Sequence, residues 1–193
     1  TKLKAAETGW LTIDNSAAEN HCTIVTIGES PMDENLIWVG TDDGNVQITK
    51  DGGKTWSNVR SNIPDVPSFT WVSFVEPSNH KIGTAYVTFD GHKIGDRRAW
   101  VFKTEDFGET WKNITDENID AYCHIIKEDL QNPDLLFLGT EYGLFLSIDR
   151  GENWTRFTGN MPKVSVRDMV FQSRENDLVI ATHGRGIYVL DDL

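Results

Sequence analysis

The sequence predicts an all-β protein assembled from about four repeated, four-stranded antiparallel sheets. Three observations lead to this fold class. An octapeptide recurs three times, short apolar segments alternate with polar turns, and no long segment shows helical periodicity. A motif that returns at this spacing, with 55 and then 43 residues between its aspartates, is typical of architectures that repeat one supersecondary unit.

The octapeptide combines Ser or Thr, Asp, Gly and a final Trp, and each copy follows an alternating apolar segment. Its hydroxyl and carboxylate oxygens can accept hydrogen bonds from turn amides, Gly tolerates positive φ, and the Trp ring can fold back over a hairpin. We therefore expect structural hairpin turns rather than catalytic aspartates. The residues concerned are Thr49, Asp51, Gly53, Trp56, Thr104, Asp106, Gly108, Trp111, Ser147, Asp149, Gly151 and Trp154.

A second pattern precedes each turn: an apolar segment, a small residue with Thr, and a polar loop with Gly, as in residues 36–44 and 135–143. Another short apolar segment lies upstream of each copy. Together these elements make a four-stranded meander of about 40 to 50 residues, the size of a β-propeller blade. We expect one domain, 1–193, with blades at about 20–60, 68–115, 120–160 and 163–192 and the fourth incomplete; the alternative is a β-sandwich with coincident turns.

The N-terminal segment bears on whether the ring closes. Residues 7–13 look like the end of the octapeptide and the strand after it. Residues 1–19 would then either complete the fourth blade of a small ring or end a preceding blade of a larger one, and we favour the larger ring. Its partners would be the remaining blades of a longer chain, or a second copy that covers the exposed blade edges.

The octapeptide matches the Asp-box, or BNR, repeat seen in sialidases, xyloglucanase-type glycoside hydrolases and the sortilin ectodomain. Residues 177–192 and 38–47 resemble bacterial proteins labelled BNR-repeat glycosyl hydrolases or sortilin-like repeat proteins, and the resemblance covers about residues 20–192. It implies a β-propeller in a longer, exported protein, placed outside the cell or in the periplasm. It implies no particular activity, because function resides in sites carried by a fold.

Strand parity predicts where a site lies. If the strands of a blade are a to d from the axis outward, the Asp-boxes are c–d turns and lie opposite the b–c loops. Loops held on a rigid scaffold often carry binding residues, so we expect ligand binding on the b–c face; the alternative is that these loops are polar because they are solvated. The candidates are Asp42, Asp43, Asp90, His92, Glu141, Tyr142, His183 and Arg185.

The composition excludes several classes of function. A formal net charge of −12 without a basic cluster opposes nucleic-acid binding. No apolar run approaches the roughly 20 residues that span a bilayer. The histidines at 21, 92, 124 and 183 lack metal-ligand spacing, so no metal or cofactor is expected. Cys22 and Cys123 are expected to be buried free thiols.

These observations favour a recognition module for carbohydrate or an extracellular peptide. The alternative is a glycoside hydrolase, or its substrate cleft, which needs two carboxyl groups about 5 to 9.5 Å apart. Available acids are Asp42, Asp90, Glu141 and Asp168, and no catalytic residue can be assigned among them. An apposed acidic pair on the b–c face would favour the enzyme. A sialidase is not expected, because no Arg-Ile-Pro motif precedes the Asp-boxes.

Overall fold

The computed structural model describes residues 22–193, in which all extended structure falls into four separate antiparallel sheets. The first sheet holds β1 (Ile24–Glu29), β2 (Ile37–Thr41), β3 (Val46–Thr49) and β4 (Ser57–Asn58). The second holds β5 (Trp71–Pro77), β6 (Ala85–Asp90), β7 (Trp100–Thr104) and β8 (Lys112–Asn113). The all-β prediction is confirmed.

The third sheet holds β9 (Cys123–Glu128), β10 (Leu136–Thr140), β11 (Gly143–Ser147) and β12 (Thr155–Arg156). The fourth holds β13 (Val166–Gln172), β14 (Asp177–Thr182) and β15 (Ile187–Leu190), so it has three strands. Two short 3-10 turns, Arg60–Asn62 and His92–Ile94, interrupt the loops. The proposed N-terminal strand at residues 8–13 lies outside the described residues.

The sheets pack face to face in chain order, as blades of a propeller do. The first strand of each sheet contacts the first strand of the next: β1 lies against β5, β5 against β9 and β9 against β13. Three apolar cores fill the spaces between successive sheets. The innermost strands are therefore β1, β5, β9 and β13, and the shared cores hold the sheets as one arc.

Two glycines explain the small residue before Thr in the repeated pattern. A Cβ on Gly40 would lie 2.4 Å from Cγ1 of Val72, and one on Gly139 would lie 2.8 Å from Cγ1 of Val166. Both neighbours belong to the first strand of the following sheet. The close packing of successive sheets therefore leaves no room for a side chain at these two positions.

The three Asp-boxes form the same hydrogen-bonded turn. In the second, the Thr104 hydroxyl donates to the Asp106 carboxylate at 2.8 Å and accepts from the Gly108 amide at 2.9 Å. The same carboxylate accepts from the Thr110 amide at 2.9 Å. Gly108 has φ +84°, in the region that glycine occupies at little cost. These carboxylates are thus engaged in holding turns.

The loops segregate onto two faces of the arc. Asp-boxes bond to the turns between first and second strands, since the Phe107 amide donates to the Gly83 carbonyl and the Arg150 amide to the Asp134 carbonyl. Loops between second and third strands bond instead to the linkers that enter each sheet. The Glu141 amide, for example, donates to the Tyr122 carbonyl at 3.2 Å. We call the latter face the b–c face.

The two cysteines differ in environment. Cys123 is buried, and burial raises the pKa of its thiol to about 12. Cys22 is exposed, so the expectation that both are buried was wrong for this residue. It directly precedes the short segment that leads into β1.

Candidate functional site

Each innermost strand has a β-bulge at its second or third residue, close to the b–c face. The pairing shifts around Val25, Ser73, His124 and Arg167, at matching positions in the four sheets. A bulge leaves one residue out of the ladder and redirects its side chain. The third and fourth sheets thereby place two side chains with functional chemistry on this face.

Around these bulges lies a polar group that we call the His124 cluster. It combines residues at or just after the end of the second strand in the second and third sheets, the bulge residues of the third and fourth sheets, and two linker residues. Its members are Asp90, His92, Tyr122, His124, Glu141, Ser165 and Arg167.

His124 is at the centre of the cluster, with a side chain that is 6% exposed. Its Nε2 lies 3.0 Å from Oε2 of Glu141, and its Nδ1 lies 3.7 Å from Oδ2 of Asp90. Because a carboxylate only accepts, Nε2 carries the proton. Burial lowers the pKa of His124, so the ring is neutral at physiological pH.

Glu141 is held by three donors at one oxygen. Its Oε2 accepts from Nε2 of His124, from the Ser165 hydroxyl at 2.9 Å and from the Arg167 guanidinium at 3.1 Å. Partial burial acts to raise the pKa of Glu141, but these bonds and the guanidinium charge hold it below its ordinary value. The group remains an anion and is poorly suited to accept a further proton.

The outer part of the cluster is aromatic. Nδ1 of His92 lies 2.6 Å from Oδ1 of Asp90, and the His92 ring stacks on Tyr122 with centroids 5.0 Å apart. Tyr122 also meets His124 edge-on at 5.3 Å. Beside them, Lys93 lies 3.4 Å above the ring of Trp71. A continuous set of contacts therefore runs from the second sheet to Arg167 on the fourth.

The structure brings together some of the predicted site residues and separates others. Asp90, His92 and Glu141 meet in the His124 cluster, and the His183 amide reaches its edge by donating to the Ser165 carbonyl at 2.9 Å. Arg185 is exposed at the tip of the last loop. In the part of the chain that the structure describes, no contact joins Arg185 to the cluster.

The remaining predicted residues have local partners. Asp42 accepts from the Thr23 amide at 2.9 Å, and Asp43 bonds to Thr41 and Asn45 within its own loop. Tyr142 lies under the ammonium of Lys163 at 4.7 Å. The carboxylate of Asp168 accepts from the Met169 amide at 2.8 Å. Across residues 22–193, no group of three His, Cys, Asp or Glu side chains is placed to hold a metal ion.

Sequence reasoning missed Tyr122, Ser165 and Arg167 as members of the site, and it treated His124 as a strand residue. Their common signal is a polar residue at or just before the start of an otherwise apolar first strand, as in Tyr122-Cys123-His124-Ile125. Alternation assigns such a residue to one face of a regular strand. The bulge changes that assignment.

Comparisons with known proteins agree with this architecture. The family model described as sortilin, neurotensin receptor 3, matches residues 99–190, and the BNR/Asp-box repeat model matches residues 47–58. No curated protein sequence gives a significant match. The chain carries Asp-box repeats on a propeller-type fold.

Solved structures show the same fold at low identity. YCF48 bound to D1 peptide aligns with a TM-score of 0.61 at 18% identity over 88% of this chain and 51% of that one. The GH74 xyloglucanase from Xanthomonas campestris gives 0.67 at 12% identity over 88% and 29%. A chain of the nidogen/laminin complex gives 0.65 at 13% identity over 88% and 60%. The chain thus spans 60% or less of these structures.

Proposed function

We propose that this chain is a recognition module of an exported protein and that its b–c face binds a carbohydrate or peptide ligand. The observation that carries the proposal is the His124 cluster, in which three sheets fix polar side chains around a buried imidazole. The inner side chains of the cluster are held by hydrogen bonds, and its outer side chains are accessible to solvent. The side chains of His92 and Arg167 are 40% and 44% exposed.

The open part of the cluster suits recognition. The Arg167 guanidinium has five N–H donors, and the contact with Glu141 engages its NH2 group. The stacked rings of His92 and Tyr122 add a flat apolar surface beside these donors. Arginine and tyrosine are among the residues that dominate binding energy at interfaces. A ligand with an acceptor group next to an apolar face fits this surface.

The same geometry argues against glycoside hydrolysis at this cluster. Asp90 and Glu141 are the two acids that approach each other here, and the buried ring of His124 lies between them. A glycosidic bond has to enter the space between the two carboxyl groups. Because the His124 ring fills that space, Asp90 and Glu141 position the other side chains of the cluster and do not act as a catalytic pair.

The fold neighbours and the resemblance support the wider assignment. One neighbour is YCF48 bound to D1 peptide and another comes from a nidogen/laminin complex, which supports a binding role for a chain of this fold. We extend peptide or carbohydrate binding, and an extracellular or periplasmic location, to this chain as part of the proposal. In the described part of the chain, no helix has the length and apolar character needed to span a membrane.

The experiment compares two arginines. The 193-residue chain is screened on arrays of glycans and peptides, and the best ligand is titrated by calorimetry. Arg167→Ala is expected to weaken binding about tenfold or more, whereas Arg174→Ala is expected to have no effect. Arg174 is equally an exposed arginine of the fourth sheet, but it follows β13 on the opposite face and pairs with Glu175.

Two results would overturn the proposal. Equal affinities for wild type and Arg167→Ala would remove the cluster from the binding site. Release of reducing ends from a polysaccharide by wild type, lost in Glu141→Gln, would make the protein a glycoside hydrolase instead.

A further inference from the structure

A groove separate from the His124 cluster lies on the b–c face, at the junction of the first and second sheets. It is a groove of about 650 Å³, within the roughly 300 to 1,000 Å³ typical of ligand pockets. Its walls come from the loop after β2, from β4 and from the linker between the sheets. The residues that matter for its chemistry are Asp43, Asn45, Asn58, Arg60, Val66 and Phe69.

The polar wall is an ordered relay of amides. Nδ2 of Asn45 lies 3.0 Å from both carboxylate oxygens of Asp43, and Oδ1 of Asn45 accepts from Nδ2 of Asn58 at 2.8 Å. Oδ1 of Asn58 in turn accepts from the Arg60 amide at 3.0 Å. Since a carboxylate cannot donate, Asp43 fixes the orientation of each amide in turn. The groove therefore presents oriented donors and acceptors.

The two charged side chains of the groove, Asp43 and Arg60, form hydrogen bonds within the protein. The Arg60 guanidinium donates to the carbonyls of Ile63 and Val66 at 3.1 and 2.7 Å and lies 5.5 Å from the centre of the Phe89 ring. It thereby folds the linker into a wall. Asp43 as a residue is 9% exposed, and its carboxylate accepts hydrogen bonds from Thr41 and Asn45.

We propose that this groove binds a neutral oligosaccharide. Oriented amides of Asn45 and Asn58 match the hydroxyl groups of a sugar, which both donate and accept. The partly exposed Phe69 supplies apolar surface for the C–H face of the ring, and the buried Val66 lies in the wall with it. An ionic ligand would lose hydration without gaining an opposite charge. An extended peptide would need a strand edge to pair with, and β4 is two residues long.

This site is independent of the His124 cluster, and a matched pair of asparagines tests it. Asn113 occupies the same place in β8 that Asn58 occupies in β4, and its Oδ1 likewise accepts the amide two residues later, at 2.8 Å. Asn113 does not line the groove. Asn58→Ala and Asn113→Ala therefore lose equivalent turn hydrogen bonds. Only Asn58→Ala also removes a side chain that lines the groove.

The full chain is run by native affinity electrophoresis through gels that contain xyloglucan, hydroxyethylcellulose or galactomannan, with polygalacturonate as the anionic counterpart. Wild type is expected to be retarded by at least one neutral polysaccharide. Asn58→Ala should lose about tenfold in affinity, as for a central polar contact, and Asn113→Ala should match wild type. If Asn58→Ala melts early, Asn58→Ser, which keeps an oxygen near the Arg60 amide, serves in its place.

Three results would overturn the proposal: no retardation in any neutral gel, equal retardation of Asn58→Ala and wild type, or retardation by polygalacturonate that Asn58→Ala abolishes. Arg167→Ala separates the two sites. If it removes sugar binding while Asn58→Ala retains it, the sugar site is the His124 cluster and the groove has no such role.

Discussion

The three Asp-box tryptophans share a motif but differ widely in burial. Trp56 is 42% exposed, Trp111 9% and Trp154 1%. Trp111 meets Trp38 of the first sheet edge-on at 6.0 Å, and Nε1 of Trp154 donates to the Ile114 carbonyl of the second sheet at 2.7 Å. The rings of Trp111 and Trp154 therefore pack on the preceding sheet. Among residues 22–193, no sheet precedes the one that carries Trp56.

We expect Trp154→Ala to cost about 3 to 5 kcal/mol in the free energy of unfolding, because it empties a large buried volume. Trp56→Ala removes the same motif position from a solvated environment and should cost about 1 kcal/mol or less. Urea denaturation followed by circular dichroism measures both. Equal losses would show that the motif itself, and not packing on the preceding sheet, sets the contribution of the ring.

The residues of the turns were easier to predict than those of the site. Thr104, Asp106 and Gly108 form a local hydrogen-bonded unit, so their roles can be inferred from residue types and spacing alone. The His124 cluster joins Asp90 to Glu141 and Arg167 across three sheets. Which loops meet depends on the angle between sheets and on the bulges, and neither is encoded in a short pattern.

At the scale of strands, the neighbouring innermost strands β5 and β9 share an ion pair near the face opposite the b–c face. Oε2 of Glu76 lies 2.9 Å from the ammonium of Lys127, and Glu128 lies next along β9. Burial raises the pKa of Glu76 to about 7, although the charge and hydrogen bond of Lys127 act to lower it; the charge of Glu128 acts in the same direction as burial. The alternation of β5 predicted a strand but not the environment of this acid.

The raised pKa makes stability depend on pH. The folded protein binds the Glu76 proton more tightly than the unfolded chain, whose pKa is near the ordinary 4.5. The resulting stabilisation is complete below about pH 4.5 and is lost as the pH rises through about 7. Glu76→Gln mimics the protonated form. It should match wild type near pH 4.5 and be more stable by about 2 to 3 kcal/mol near pH 8.

Thermal and urea unfolding of both proteins across this range measures the difference. The pKa of His124 is lowered, so its own contribution rises with pH, but it is common to both proteins and cancels. A constant stability difference between the two proteins from pH 4.5 to 8 would contradict the assigned environment of Glu76.

At the scale of the whole molecule, the described sheets form an open arc with apolar side chains at both ends. Ile24 and Ile27 on the first sheet are 53% and 63% exposed, and Ile187 and Val189 on the fourth are 70% and 50% exposed. Equivalent faces between sheets are buried in the three cores. The repeated unit could be predicted because three of the four units carry the same local turn motif. The number of blades in a ring depends on how the sheets pack together, so a short motif does not reveal it.

These end faces lead to the expectation that the 193-residue chain self-associates. β15 pairs with β14 on one side and has no partner on the other among the described strands, and such an edge readily pairs with another chain. Burying the exposed Ile187 and Val189 side chains contributes roughly 25 cal/mol per Å² of apolar surface to the stability of such a contact.

Size-exclusion chromatography with light scattering should show a mass that rises with protein concentration, and Ile187→Lys combined with Val189→Lys should lower that mass. Ile148→Lys is the control, because Ile148 is 72% exposed but lies in the third Asp-box. A wild-type chain that stays monomeric throughout a dilution series would show that the end faces are covered within one chain, as a closed ring requires.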